Sequence, residues 1–257
     1  MKVTYKQMLE KVRRGEKVMG SALSSPDLSI IDNMALAGYE YLLIGAEHGV
    51  LSWNNVFDMI RAAEAVGVAT MVKVPSFNDE LAINKAIDMG ASCIKIPGVN
   101  SIEEARRAIE LVYYPPIGER SYCPYVRGND YGVEGPSCIP KLNENLTLSL
   151  TLETEGAVEH LEELIAEPHI QTYTVGNFDL SLRLGVPMQT YHPKVQEVVH
   201  EVARLCEKYD KTFCVQVRNG EDVKQFEKYK GIYYYAEMPI HTLYVALREK
   251  RRDFFGD

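Results

Sequence analysis

The sequence predicts an α/β protein, a single (β/α)8 barrel domain over residues 1–257. Three observations carry this reading. Short apolar runs recur eight times, each followed by a segment with helical spacing of apolar residues. The first four units repeat at roughly 20–30 residues, about the size of a strand–helix module. No low-complexity stretch or Pro/Gly/Ser-rich linker divides the chain. Strands that alternate with helices need crossover connections, so they pair in parallel, and eight of them close into a barrel.

Residues 3–15 form a short amphipathic helix, with Val3, Met8, Leu9 and Val12 on one side. The first strand is Val18–Ser24. Ser25-Pro-Asp27 starts a helix, which runs to Ala37 and stops at Gly38. Tyr39–Ala46 is the second strand, and Ser52 caps a helix through Val66. Ala69–Val74 is the third strand, and Asn78 or Asp79 opens a helix that ends at Gly90. Ala91–Pro97 is the fourth, followed by a capping box from Ser101 and Glu104. Residues 113–147 interrupt the rhythm as a long loop, whose tyrosines (Tyr113, Tyr114, Tyr122, Tyr125, Tyr131) argue for order. Leu148–Glu153, Thr172–Gly176, Thr212–Val217 and Ile232–Ala236 complete the strands. Asp179-Leu-Ser181 begins a short helix and Pro239–Phe255 is the last one.

Composition narrows the function. The chain is 46% hydrophobic and 25% charged, ordinary for a globular protein with a sizeable core. Its net charge of −8 argues against nucleic acid and anionic membranes as partners, because binding there rests on Lys and Arg. Met1–Gly15 is too charged to read as a secretory leader, and no apolar run reaches membrane-spanning length. Five cysteines without a CxxC pair read as free thiols in a cytoplasmic protein.

In such a barrel the chemistry sits at the carboxyl ends of the strands. The ionisable residues there are Glu47 and His48, Lys73, Glu153, Asp179 and Glu237. Glu153 and Asp179 lie just past neighbouring strands, so their carboxylates can converge on a hard divalent cation such as Mg2+ or Mn2+. The competing reading has Asp179 capping its helix and Glu153 paired with a lysine. A metal at that place polarises a 2-oxo acid as a Lewis acid and stabilises the charge of its enolate. His48 is a general base candidate or a hydrogen-bonded strand-end histidine. Lys73 neutralises the substrate carboxylate, serves as a Schiff-base amine, or is a surface lysine. Arg120 and Arg127 in the long loop read as salt-bridge residues ahead of anion binders.

An ordered set of motifs then resembles one family. It comprises Gly38-Tyr-Glu-Tyr41, Glu47-His-Gly49, Asp88-Met-Gly-Ala91, Tyr114-Pro-Pro-Ile-Gly-Glu-Arg120, Leu152-Glu-Thr154 and Asp179-Leu-Ser181. In that order they resemble the class II, metal-dependent 2-oxo acid aldolases of HpcH/HpaI type, over nearly the whole chain. The resemblance implies a TIM barrel whose last helix is exchanged between subunits of a homohexamer, a trimer of dimers. It implies cleavage or formation of a 4-hydroxy-2-oxo acid through a pyruvate enolate, with a 2-oxo acid and an aldehyde as partners. It implies a divalent metal (Mg2+, Mn2+ or Co2+) held by Glu153 and Asp179, and His48 as base. Asp88 matches a carboxylate given to a neighbouring subunit's site. Thr151, Gly176 and Phe178 fall at substrate-contacting positions, with Lys73. The chain departs from the family pattern at Lys73 (arginine), Gly45 (an acid), Thr151 (glutamine) and Gly176-Asn-Phe-Asp179 (Gly-Pro-x-Asp). Some relatives use the scaffold for a citrate-synthase-like condensation, and a barrel that only binds a metabolite is the third alternative.

Overall fold

The computed structural model describes residues 3–256. Eight parallel strands close into a barrel in sequence order. They are β1 (Met19–Leu23), β2 (Tyr41–Gly45), β3 (Ala69–Lys73), β4 (Cys93–Ile96), β5 (Thr147–Leu152), β6 (Thr172–Val175), β7 (Thr212–Gln216) and β8 (Ile232–Tyr235). β8 pairs back onto β1 through Met19↔Tyr234 and Gly20↔Tyr235. The expected strands are all present, with ends moved by one or two residues; most are trimmed, and β5 starts one residue early, at Thr147.

The barrel separates two cores. Side chains alternate along each strand. Leu148, Leu150 and Leu152 of β5 join the outer core beneath the helices. The inward residues split into two levels. At the amino-terminal end, Tyr41, Met71, Cys93, Cys214 and Tyr233 pack with Tyr5, Met8, Leu9 and Val12 of the first helix, Tyr5–Arg13. That helix plugs the barrel floor, and each fully buried side chain contributes roughly 2–3 kcal/mol of gross transfer energy. The rings of Tyr41 and Tyr233 meet edge-on at 5.4 Å, and the Tyr5 hydroxyl donates to the Tyr233 hydroxyl at 3.2 Å. Gly20 is required here, since a Cβ at that position would lie 2.3 Å from the Tyr41 ring.

Two expectations change. The capping box at Ser101 is half made: Ser101 accepts from the Glu104 N–H, but Glu104 Oε2 accepts from the N–H of Asn100. The long loop holds a helix at Ile139–Asn145, which the prolines and asparagines around it concealed. The loop arginines are salt-bridged as expected, Arg120 to Asp88 and Arg127 to Glu64. None of the five cysteines is in a disulfide. The last helix, Pro239–Phe255, buries none of its residues and exposes Leu243, Tyr244, Leu247, Phe254 and Phe255. No helix among the described residues is long and apolar enough to cross a membrane.

Candidate active site

Above the aromatic plug the barrel opens into a cavity of about 530 Å3 at the carboxyl ends of the strands. His48, Lys73, Thr151, Glu153, Gly176, Phe178 and Asp179 all line it. The sequence-based candidates therefore meet in one place, Asp88 excepted.

Glu153 follows β5 directly and continues its inward face, on the same side as Thr151. Glu153 is 6% exposed, and its Oε1 accepts the N–H of Gly98 at 3.1 Å. Burial pushes its pKa up, Lys73 pulls it down, and the charges of Asp179 and Glu47 push it further up. Gly176 makes room for it. A Cβ on Gly176 would fall 2.2 Å from Glu153 Oε2 and 2.7 Å from Glu153 Cβ. Gly176→Ala is expected to displace the carboxylate and weaken divalent-metal binding about 10–100-fold, as loss of a supporting contact does. Mn2+ titration checks this, and unchanged affinity refutes it.

Asp179 lies within the first turn of the helix Asn177–Arg183, and Gly176 holds the N-cap position without a side-chain cap. The capping role considered for Asp179 is not realised, so its side chain is left to the cavity.

Lys73 ends β3, in register with Gly45 of β2. Its Nζ stands 2.5 Å from Glu47 Oε2 and 4.0 Å from Glu153 Oε2. Lys73 is thus an interior ion-pair residue and not a surface lysine. No donor is aligned for a hydrogen bond to the buried Glu47 Oε2, so the contact is one of charge more than direction. The same oxygen lies 3.6 Å from His48 Nε2. His48 itself sits at the rim with its side chain 82% exposed. Glu47 supplies the acid beside His48 that position 45 lacks. The β2 alternation Tyr41, Leu43, Gly45, Glu47 was the signal that Glu47 turns inward.

Lys95 of β4 was missed by sequence reasoning. It lines the cavity, is 7% exposed, and is in register with Lys73 and Ser149. Burial pushes its ammonium down to about 8, with Lys73 adding to the effect. A lysine inside the apolar run Cys-Ile-Lys-Ile was the available signal.

Asp88 lies outside the cavity, at the end of the helix Glu80–Asp88. It pairs with Arg120, whose guanidinium lies 4.6 Å above the Tyr114 ring. Burial raises the Asp88 pKa and Arg120 opposes it. Asp88 does not line this chain's own cavity; the resemblance assigned it to a neighbouring subunit's site.

The donor set fits a hard divalent cation. Glu153 and Asp179 offer carboxylate oxygens, and Asn177 Oδ1 is a buried acceptor without a donor. Among the described residues no three His, Cys, Asp or Glu side chains form a preformed cage. A cation here would have Glu153 and Asp179 as its protein carboxylates, a donor set that suits an ion that keeps several waters, such as Mg2+.

A closed parallel barrel with acids, an imidazole and lysines at its carboxyl rim defines an enzyme of the barrel class. The sequence profile of the HpcH/HpaI aldolase/citrate lyase family matches residues 19–228, and the chain belongs to that family. It is a carbon–carbon lyase of aldolase type. The chain is 28% identical over 196 residues to the 2-dehydro-3,6-dideoxy-6-sulfogluconate aldolase of Pseudomonas putida, covering 76% of each. It is 29% identical over 188 residues to the hydroxypyruvate/pyruvate aldolase of Sagittula stellata, covering 73% of this chain and 74% of that one. The crystal structure of an HpcH/HpaI aldolase from Desulfitobacterium hafniense superposes with a TM-score of 0.86 at 24% identity, over 98% of this chain and 96% of the other.

Proposed function

We propose that the protein is a metal-dependent lyase that cleaves, or in reverse forms, a 4-hydroxy-2-oxo acid through a pyruvate enolate. The observation that carries this reading is the convergence of Glu153 and Asp179 with the Lys73–Glu47–His48 chain in one cavity. The name of the Sagittula stellata relative supports pyruvate as donor product.

Glu153 and Asp179 would hold a divalent ion (Mg2+, Mn2+ or Co2+), which when bound supplies Lewis acidity to the keto oxygen of the substrate. Glu153 is anchored for this by the Gly98 N–H and is shielded from water by burial. Lys73 spans Glu47 and Glu153 and limits their repulsion. His48 takes the proton from the 4-hydroxyl at the rim, where an incoming aldehyde end is exposed, and returns it in the opposite direction. Glu47 stabilises the imidazolium formed in that step. Thr151, Gly176 and Phe178 wall the donor end and rim of the cavity.

The test is release of pyruvate from 4-hydroxy-2-oxo acids in a coupled assay. Activity is expected to disappear in EDTA and to return with Mg2+, Mn2+ or Co2+. Full turnover in EDTA removes the metal from the reading. A second reading, a citrate-synthase-like condensation, is favoured by the citrate lyase branch in the family's own description and by Lys73 being held by Glu47. A panel of oxo acids and acyl donors read by mass spectrometry separates the two; a barrel that binds the acid and turns over nothing on that panel is the third reading.

We further propose that the chain acts as one cytoplasmic barrel domain and assembles as a homohexamer, a trimer of dimers. The bare apolar face of Pro239–Phe255 supports assembly through that helix. In such an assembly Asp88, ion-paired away from its own cavity, is the carboxylate offered to a neighbour.

A further inference from the structure

Lys95 has no part in the chemistry above, yet it occupies the floor of the same cavity. Its neighbours on both sides are unusual for a lysine. On β3 the partner in register is Lys73, a second cation. On β5 the partner is Ser149, and one pleat further on is Thr151. The hydroxyls Ser149 Oγ and Thr151 Oγ1 are both buried and both without a hydrogen-bond partner. Among the described residues no carboxylate lies within 4.0 Å of Lys95 Nζ. Lys73, by contrast, is already committed to Glu47 at 2.5 Å and faces Glu153 at 4.0 Å.

A buried ammonium without a counter-ion is destabilising, and buried hydroxyls without partners add to the cost. Such a group is retained where an outside charge completes it. Lys95 is 93% buried and its opening is to the cavity. The charge it lacks is negative, and the hydroxyl beside it can donate to the same anion.

We propose that Lys95, together with the Thr151 hydroxyl, forms the subsite that receives the carboxylate of the acid substrate, and that Lys73 serves the ion-pair chain to Glu47 instead. This assignment rests on the 2-oxo acid reading of the site. It gives the anion-binding role to β4, one strand away from the residue that sequence reasoning had chosen. The contact is ionic, and no bond to carbon is made.

The experiment is calorimetric titration of the Mg2+-loaded protein with pyruvate and with pyruvamide, its uncharged analogue. Wild type is expected to prefer pyruvate. Lys95→Met is expected to lose about 10–100-fold in pyruvate affinity, the value of a hydrogen bond to a charged group, and to bind pyruvamide as wild type does. Lys95→Arg is expected to restore the preference for pyruvate. A pH series adds a readout that a packing role would not move. The titratable groups facing Lys95 are Cys93 on its own strand, Lys73 on β3, Glu153 on β5 and Cys214 on β7. Burial pushes both thiols up. Wild-type affinity is then expected to fall about tenfold per pH unit above the Lys95 pKa, as the competent fraction falls, whereas Lys95→Arg stays level.

Equal losses for pyruvate and pyruvamide in Lys95→Met overturn the assignment, as does a loss confined to Lys73→Met. A borohydride-trapped pyruvate adduct on Lys95 also overturns it, since the amine would then be a nucleophile. If Lys95→Met fails to fold, the level pH profile of Lys95→Arg carries the test. Wild type that binds no 2-oxo acid sinks the lyase reading itself. Wild type that cleaves its substrate while Lys95→Met binds pyruvate normally sinks only the subsite.

Discussion

Glu153→Gln is expected to lower lyase turnover by about 10²–10³-fold and to weaken Mn2+ binding, while the protein stays folded. The substitution keeps the shape of the side chain and an oxygen that can still accept the Gly98 N–H. What it removes is one of the two carboxylates, Glu153 and Asp179, proposed to hold the cation, among the four that line the cavity with Glu47 and Glu237. Loss of a preorganised group that acts on developing charge is worth about 3–4 kcal/mol of barrier, which is the stated factor in rate. The measurement pairs a pyruvate-release assay with Mn2+ titration and thermal unfolding. Wild-type turnover in a folded Glu153→Gln protein would refute the role given to this carboxylate.

Lys95→Met is expected to stabilise the ligand-free protein at pH 7 by about 2–3 kcal/mol. In the fold the ammonium is pushed from 10.5 down to about 8. The unfolded chain therefore binds more protons than the native one between those values. Stability of wild type must then rise as pH climbs from about 8 towards 10.5, and below that window the native state carries the whole cost of the buried charge. Methionine matches the lysine stem and has no charge to bury. The advantage of the variant is largest at neutral pH and shrinks through the same window. For a chain of this size it corresponds to roughly 5–10 °C in Tm. Thermal unfolding of both proteins at pH 7 and pH 10 decides the matter. A variant less stable than wild type at pH 7 would falsify the account. Gain in stability with loss of pyruvate affinity is what an active-site charge predicts.

Much of the fold was legible because its signals are local. Glycines after helices, Ser52 and Asp79 before them, and apolar runs of strand length are read without knowing what they touch. Where a local signal misled, a competing contact had won. Glu104 turned to the Asn100 N–H, and Ile139–Asn145 became helical while its Asn143 bonds both the N–H and the carbonyl of Tyr114. The rim candidates were legible for a topological reason. Once eight strand–helix units are counted, every strand end is known to face one mouth. Glu153, Asp179, Lys73 and His48 followed from that count alone.

The sequence by itself determined the barrel, its strand order and the family to which the chain belongs, since periodicity and ordered motifs survive without coordinates. Only the tertiary structure decided how the charges are paired. Glu47 holds Lys73 and lies beside His48, Asp88 goes to Arg120, and Lys95 is left facing the cavity without an acid. The Glu47–Lys73 contact and the place of Lys95 beside Lys73 depend on the register of β2, β3, β4 and β5, which sets residues more than 20 positions apart side by side. Electrostatic energy follows distance and burial, and neither is written in the order of residues along the chain.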